Sequence, residues 1–377
     1  MKIIYHHRIA SKDGQYVHIS EIIRALELQG HDVFLVGPEL HAQAAFGHDG
    51  GIVSKLKKKL PAWLYELLEL AYSMKIALKL YSAIKTHQPD VIYERYNLNQ
   101  PMGVWLSRRL GIPLLLEVNA PLKEERQRFG SLSLKKLAGW VEGWTWRNAS
   151  MVLPVSNALA EHVRAVGVSE QNIEVIHNGI RQCIADANAK KSTQPTDVVT
   201  IGFVGFMHLT CGVDWAMEVL AERADLPARL LCVGDGDILP YLKERALALG
   251  VSDRVEFTGL ASRDQVMGYI DQFDIALQPD VTPYASPLKM FEYMAHKCLI
   301  VSPDSSNMRE ILTEACAEFF PLGSKEGFKH ALQRGLDNLP ALPHRREAAY
   351  QRLLDGQFTW ESNARRIAHL ASVLQRG

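Results

Sequence analysis

The 377-residue sequence has no surplus charge of either sign: 42 basic residues balance 42 acidic ones. No global field draws nucleic acid, and no nucleic-acid partner is expected. Cysteine is scarce. Its five copies, at 183, 211, 232, 298 and 316, show no Cys-x-x-Cys and no metal-finger spacing. That argues against a zinc site and a disulfide framework and reads as reduced thiols in a cytoplasmic protein. Long apolar runs are missing too. Charges interrupt each one short of spanning length, so no segment is expected to cross a membrane. Met1-Lys2-Ile3-Ile4-Tyr5 opens directly as a strand, without the basic stretch, apolar core and small-residue cleavage site of an export signal.

What is present is an alternation. With 47% hydrophobic and 22% charged residues, the composition is that of a globular chain, and its length suits two domains. Compact runs of Ile, Val, Leu and Phe predict strands at 3–6, 33–36, 91–94, 113–118, 151–155 and 173–176. A second set falls at 199–204, 229–233, 254–258, 275–278, 299–301 and 318–320. Runs without clean alternation suit strands buried on both faces of a parallel sheet. Helical stripes intervene, such as Ile19, Ile22, Ile23 and Leu26 ending at Gly30. The expected class is α/β, with two Rossmann-like, doubly wound domains. The first takes 1–185 and the second 198–357, joined by the polar linker 186–197. A last segment, 358–377, starts with Phe358-Thr359-Trp360-Glu361, where Thr359 can cap a helix and Trp360 can anchor it.

Ligands of open α/β sheets sit beyond the carboxyl ends of the strands, so the loops there carry the candidates. Gly14 opens a helix that has His18 in its first turn; it could let amides approach a phosphate, or simply serve helix entry. Glu117 and Asn119 follow a buried strand and could bind a hydroxylated ligand or satisfy the turn before Pro121. Ser156-Asn157 and His177-Asn178-Gly179 read as a cap and a turn. In the second half, Gly205 ends a strand and His208 follows it. Gly234 lies in a glycine–aspartate turn, and Gly259-Leu260 in another. The segment Ser286-Pro287-Leu288-Lys289 begins a helix, with Ser286 at the cap and Pro287 in the first helical position. Its amides, the Ser286 hydroxyl and Lys289 would make an anion site, with Glu292 on the same face. Separately, Lys55, Lys57, Lys58 and Lys59 precede a helix with Leu60, Trp63, Leu64, Leu67, Leu68, Ala71 and Met74 along one side. Such a stretch (Lys55 to Met74) either rests on an anionic bilayer or packs within the first domain.

Taken in order, these motifs resemble the family 4 retaining glycosyltransferases, particularly bacterial polysaccharide-biosynthesis members, in which Glu-Val-Asn-Ala-Pro follows Tyr-Glu-Arg-Tyr (here 93–96). The resemblance runs from Gly14 to Trp360. It implies the GT-B fold, two domains facing across a cleft, with the final helix crossing back to the first. It implies transfer of a hexose from a nucleoside diphosphate sugar to a hydroxyl of a glycan or lipid-linked acceptor, with retention and without a metal or other cofactor. Gly14, Gly205, His208, Gly234, Gly259, Leu260, Tyr284, Ser286, Pro287, Leu288, Lys289 and Glu292 would bind the donor. His18, Glu117 and Asn119 would face the acceptor. Lys289, Glu292, Glu117 and Asn119 would carry catalysis. The loop 206–211 lacks the Arg and Lys the family places there, and Tyr284 stands where it has a glutamate. Those two departures admit an alternative, a non-catalytic binding or scaffold subunit. The place implied is the cytoplasm, at the inner face of the membrane if the bilayer contact holds.

Overall fold

The structure, a computed structural model, describes residues 1–9, 14–38, 60–194, 197–209 and 211–376. It divides into two compact units: Met1–Asn178 with Trp360–Gly377, and Gly179–Thr359.

The first unit holds a five-stranded parallel sheet in the order β2-β1-β3-β4-β5. Its strands are β1 (Lys2–His6), β2 (Asp32–Val36), β3 (Val91–Arg95), β4 (Leu114–Val118) and β5 (Met151–Pro154). Helix α1 (Gly14–Leu28) joins β1 to β2, and α2 (Ala62–His87) joins β2 to β3. Then come α3 (Met102–Leu110), α4 (Leu122–Arg128), α5 (Lys135–Asn148) and α6 (Asn157–Ala165). The order reverses between β1 and β3. Right-handed crossovers therefore place α2, α3 and α5 on one face and α1 on the other. The stripe expected on α1 is buried at Ile19, Ile22 and Leu26, and the chain turns at Gly30 with φ +79°.

The second unit holds a six-stranded parallel sheet in the order β11-β10-β9-β6-β7-β8. Its strands are β6 (Val199–Val204), β7 (Ala228–Val233), β8 (Val255–Phe257), β9 (Ile275–Leu277), β10 (Leu299–Asp304) and β11 (Ala317–Pro321). Helices α7 (Gln182–Asn188), α8 (Val213–Glu222), α9 (Leu239–Ala248), α10 (Arg263–Ile270), α11 (Leu288–Ala295), α12 (Ser306–Ile311), α13 (Lys325–Asp337) and α14 (Leu342–Asp355) surround it. Here the order reverses between β6 and β9. A last helix, α15 (Trp360–Arg376), belongs to the first unit. It packs on α1: Arg24 reaches Glu361 at 2.7 Å, and Gln29 donates to the Glu361 carbonyl at 2.8 Å.

Three expectations change. Residues 173–176 make a single bridge from Ile173 to Val152 instead of a strand. Glu174 and Ile176 donate to the carbonyls of Val152 and Pro154, but Pro154 has no N–H to return the next bond, so the ladder stops. The division between units falls at Asn178/Gly179 rather than at 185, and the chain returns at Thr359/Trp360 rather than at 358. The polar run taken for a linker is instead fastened to the second unit. Lys297 donates to the carbonyls of Ala189 and Lys191, and Arg346 to that of Thr193. Its polarity serves backbone partners, which a reading of composition cannot distinguish from solvation.

Helix α2 presents the third change. Its inner face carries Glu66, Glu69, Ser73, Ala77, Leu80 and Ile84. Glu66 accepts from the backbone N–H groups of Ser133 and Leu134 at 2.6 and 2.7 Å, just ahead of α5. Glu69 takes both Arg126 Nη atoms at 2.7 and 2.8 Å. With carboxylates inside, Trp63, Leu67, Leu68 and Met74 are left exposed. The apolar stripe expected to pack or to meet a bilayer faces outward. Lys55, Lys57, Lys58 and Lys59 lie outside the described residues.

Candidate functional site

At the carboxyl end of the second sheet, three glycine turns lock together. Gly205 follows β6 with φ +151°, Gly234 follows β7 with φ +129°, and Gly259 follows β8 with φ +69°. The N–H of Gly205 donates to Val233 O at 3.0 Å, and that of Gly234 to Gly259 O at 3.2 Å. A Cβ on Gly234 would stand 2.1 Å from Gly205 O, a backbone atom with nowhere to go. Gly234→Ala is therefore expected to destabilise the second unit by about 2 kcal/mol or more, read as a lower urea midpoint.

The switch point between β6 and β9 lies beside these turns, and α11 starts there. Its first helical residue is Leu288. Pro287 holds the capping position with ψ 127° and makes no side-chain cap bond of its own. This corrects the register expected for Ser286 and Pro287, since the extended ψ of Pro287 delays the helix by one residue. The loop before it is pinned by Asn307, which donates to the carbonyls of Thr282 and Ala285 at 3.0 and 2.7 Å. Tyr284 is half-buried in that loop and Ser286 is buried. From within α11, Tyr293 OH accepts from Val204 N at 3.0 Å and so fixes the end of β6.

Lys289 lies in the first turn of α11. Its Nζ donates to Val204 O at 3.2 Å and sits 4.8 Å over the Phe203 ring. Among the described residues no carboxylate forms an ion pair with it. Burial pulls its ammonium down to about 8, against weaker opposing charges from Cys211, Glu292 and Asp280. Glu292 is buried and pairs with Arg263 Nη1 at 2.8 Å. The sequence reading missed Arg263, which stands just after the capping Ser262 of α10. Only the fold brings it to Glu292. Of the remaining donor candidates, His208 and Leu260 are exposed. Asp235 and Asp237 also form an Asp-x-Asp spacing that the sequence reading passed over. Asp235 Oδ1 accepts from Gly236 N at 2.8 Å. Among the described residues no group of three or more His, Cys, Asp or Glu gathers to hold a metal ion.

In the first unit the switch point lies between β1 and β3, and there the structure brings together His18, Glu117 and Asn119. Glu117 is 2% exposed and surrounded by donors. His18 Nε2 lies at 2.9 Å, Tyr93 OH at 2.7 Å and Arg95 Nη1 at 2.5 Å, and Asn119 Nδ2 completes the set. Burial alone would raise this carboxyl. His18 and Arg95 outweigh it and hold Glu117 far below the usual carboxylate range. An ionised Glu117 can only accept, so His18 Nε2 carries the proton. Both are buried, so Glu117 orients neighbours from within. Asn119, half-buried, is the member nearer solvent. Trp360 packs edge-on to His18 with centroids 5.1 Å apart, and a small cavity lined by His18, Tyr93, Glu117, Ile176, His177 and Trp360 lies beside them. Gly14 is exposed as the first residue of α1. Two further buried groups escaped the sequence reading. His6 Nδ1 meets Glu94 at 2.7 Å, and burial, with the charges of His6 and Arg95, pulls His7 down to about 4.

Comparison with known proteins agrees with this geometry. Residues 12–181 match the family model for Glycosyltransferase Family 4, and residues 198–338 match that for Glycosyl transferases group 1. An uncharacterized glycosyltransferase of Methanocaldococcus jannaschii is 27% identical over 175 residues, 43% of this chain and 44% of that protein. The 2-deoxystreptamine glucosyltransferase of Streptomyces kanamyceticus is 25% identical over 192 residues, 48% of this chain and 50% of that protein. The matched part thus spans about half the length of these curated relatives. Among solved structures, HepE of Anabaena in complex with UDP is 16% identical with a TM-score of 0.72, covering 99% of this chain and 100% of that one. Sucrose-phosphate synthase of Thermosynechococcus elongatus is 17% identical with a TM-score of 0.71, covering 99% and 98%. The shared fold is GT-B. The two family matches follow one another along a chain of this fold and support a family 4-like glycosyltransferase.

Proposed function

We propose that the chain transfers a hexosyl group from a nucleoside diphosphate sugar to a hydroxyl of a glycan or lipid-linked acceptor, with retention at the anomeric carbon. The observation that carries this reading is Lys289, a cation drawn inward beside Gly205 in the first turn of α11, with no ion-pairing carboxylate among the described residues. Such a site is built for an anion. HepE has been solved with UDP and with UDP-glucose, which supports the same class of donor here.

In this reading the bond between the anomeric carbon and the diphosphate oxygen breaks, and charge grows on the leaving diphosphate. Lys289 and the first amides of α11 stabilise it, which is usually the largest catalytic contribution. Arg263 supplies a second cation in place of the Arg and Lys absent from the 206–211 loop. Glu292 holds the ribose hydroxyls. The acceptor oxygen attacks on the face the leaving group vacates, and its proton passes to a leaving phosphate oxygen, so no separate carboxylate base is needed. Asn119 meets the acceptor, with His18 and Glu117 positioning it from beneath. All five cysteines are free thiols, which accords with a cytoplasmic setting.

The test is turnover. Purified protein should hydrolyse or transfer from at least one nucleoside diphosphate sugar, and Glu292→Ala should abolish that while leaving the fold intact by circular dichroism. Nucleotide-induced thermal stabilisation without turnover, across a panel of donors and acceptors, would favour the binding-subunit alternative that Tyr284 and the cation-poor loop suggest.

A further inference from the structure

Among the described residues no helix is long and apolar enough to cross a membrane, yet one face of the first unit is unusually apolar. On α2 the exposed side carries Trp63, Leu67, Leu68, Met74 (64% exposed) and Leu78 (70% exposed). Neighbouring α3 and α5 add Trp105 and Trp140 (63% exposed). These three tryptophans all fall within the first two turns of their helices, at the carboxyl end of the sheet. The charges on these helices are sorted by sign. Their three acidic residues, Glu66, Glu69 and Glu142, are all buried. Their exposed charged residues are all basic: Lys75, Lys79 and Lys85 on α2, Arg108 and Arg109 on α3, and Lys135, Lys136 and Arg147 on α5. The adjoining exposed acid Glu124, on α4, is directed to His162.

We infer that the α2–α3–α5 face docks on an anionic lipid bilayer. Exposed Leu and Met supply the apolar insertion, Trp sits at the headgroup level, and Lys and Arg meet anionic headgroups. The sign sorting selects this occupant over a second copy of the chain. A two-fold interface would set these cations against themselves with no carboxylate between them. The inference stands apart from the donor chemistry and does not depend on it.

Full-length protein is mixed with vesicles of phosphatidylcholine alone or with phosphatidylglycerol added, and sedimented. Binding to the anionic vesicles is expected, with a blue shift of tryptophan emission and weakening in high salt. The double variant Leu68→Glu, Leu78→Glu should bind about tenfold less well, and Lys75→Glu, Lys79→Glu should lose the preference for anionic lipid. These positions are exposed, so the folds should hold, and an unchanged melting temperature checks it. No binding by the wild type, or equal binding by the leucine variant, overturns the inference. So does light scattering that shows a dimer which Leu78→Glu returns to monomer. Turnover of a soluble donor, measured on the same variants, separates this outcome from the proposed activity.

Discussion

Replacing Lys289 with methionine is expected to lower donor turnover by about 10²–10³-fold and, at the same time, to stabilise the folded protein near pH 7. The two effects have one cause. Burial draws the Lys289 ammonium down to about 8 from its ordinary 10.5, so the folded state carries this proton at a cost that the unfolded state does not. Between those two values the unfolded chain binds more protons, and stability rises with pH. Below pH 8 the full penalty is present, and methionine removes it. Melting curves of wild type and Lys289→Met should therefore differ most at pH 7 and converge by about pH 10. A bound diphosphate offsets the same penalty by supplying a counter-charge. Nucleoside diphosphate affinity of the wild type should accordingly fall as pH climbs past 8, with proton uptake visible by calorimetry in buffers of different ionisation enthalpy. An affinity flat across pH 7–9.5 would sink this role for Lys289.

Glu117→Ala should have the largest effect on stability, about 3–5 kcal/mol, because it leaves the buried Arg95 without its counter-charge and His18, Tyr93 and Asn119 without their acceptor. Glu117→Gln keeps the shape and should cost less. The pH dependence has the same sign as that of Lys289, because both groups hold their protons less readily in the folded state, but it falls in the acid range and reports a gain instead of a penalty. A carboxyl held far below its ordinary 4.5 contributes stability that is complete above that value and fades as pH falls. Urea titrations at pH 7 and pH 4 should show the wild type losing more on acidification than Glu117→Gln. Equal losses would mean that the Glu117 charge is not what the surrounding donors hold.

Much of the fold was legible because parallel strands write themselves as short apolar runs. Residues 199–204 were bounded to the residue, and ten other strands were found within a few positions. The run at 173–176 was misread because its failure depends on a missing N–H on Pro154, which belongs to its neighbour. Near the candidate site, single turns were legible in the sequence: Gly205, Gly234 and Gly259 each take a positive φ. Partnerships did not carry. That Arg263 reaches Glu292, or that Glu117 is encircled by donors, depends on residues far apart in sequence. The direction of α2 was hidden for another reason. Its apolar stripe is real, but Glu66 and Glu69 find partners inside, and this reverses the usual rule that the apolar side faces the core.

The chain enters the second unit once and leaves it once, with Ile180 and Thr359 paired side by side at the two crossings. One consequence concerns the order of assembly on the ribosome. The second unit is a single uninterrupted stretch, free to fold as soon as it has emerged. The first unit, although synthesised first, must wait for its final helix. Until Trp360 arrives, the side of α1 that carries His18 has no cover, and Arg24 has only Glu21 to hold it. Contacts that close over more than three hundred residues are slow to form. The first unit is thus completed only after the whole of the second has been made, and truncation within α15 should damage the first unit more than the second.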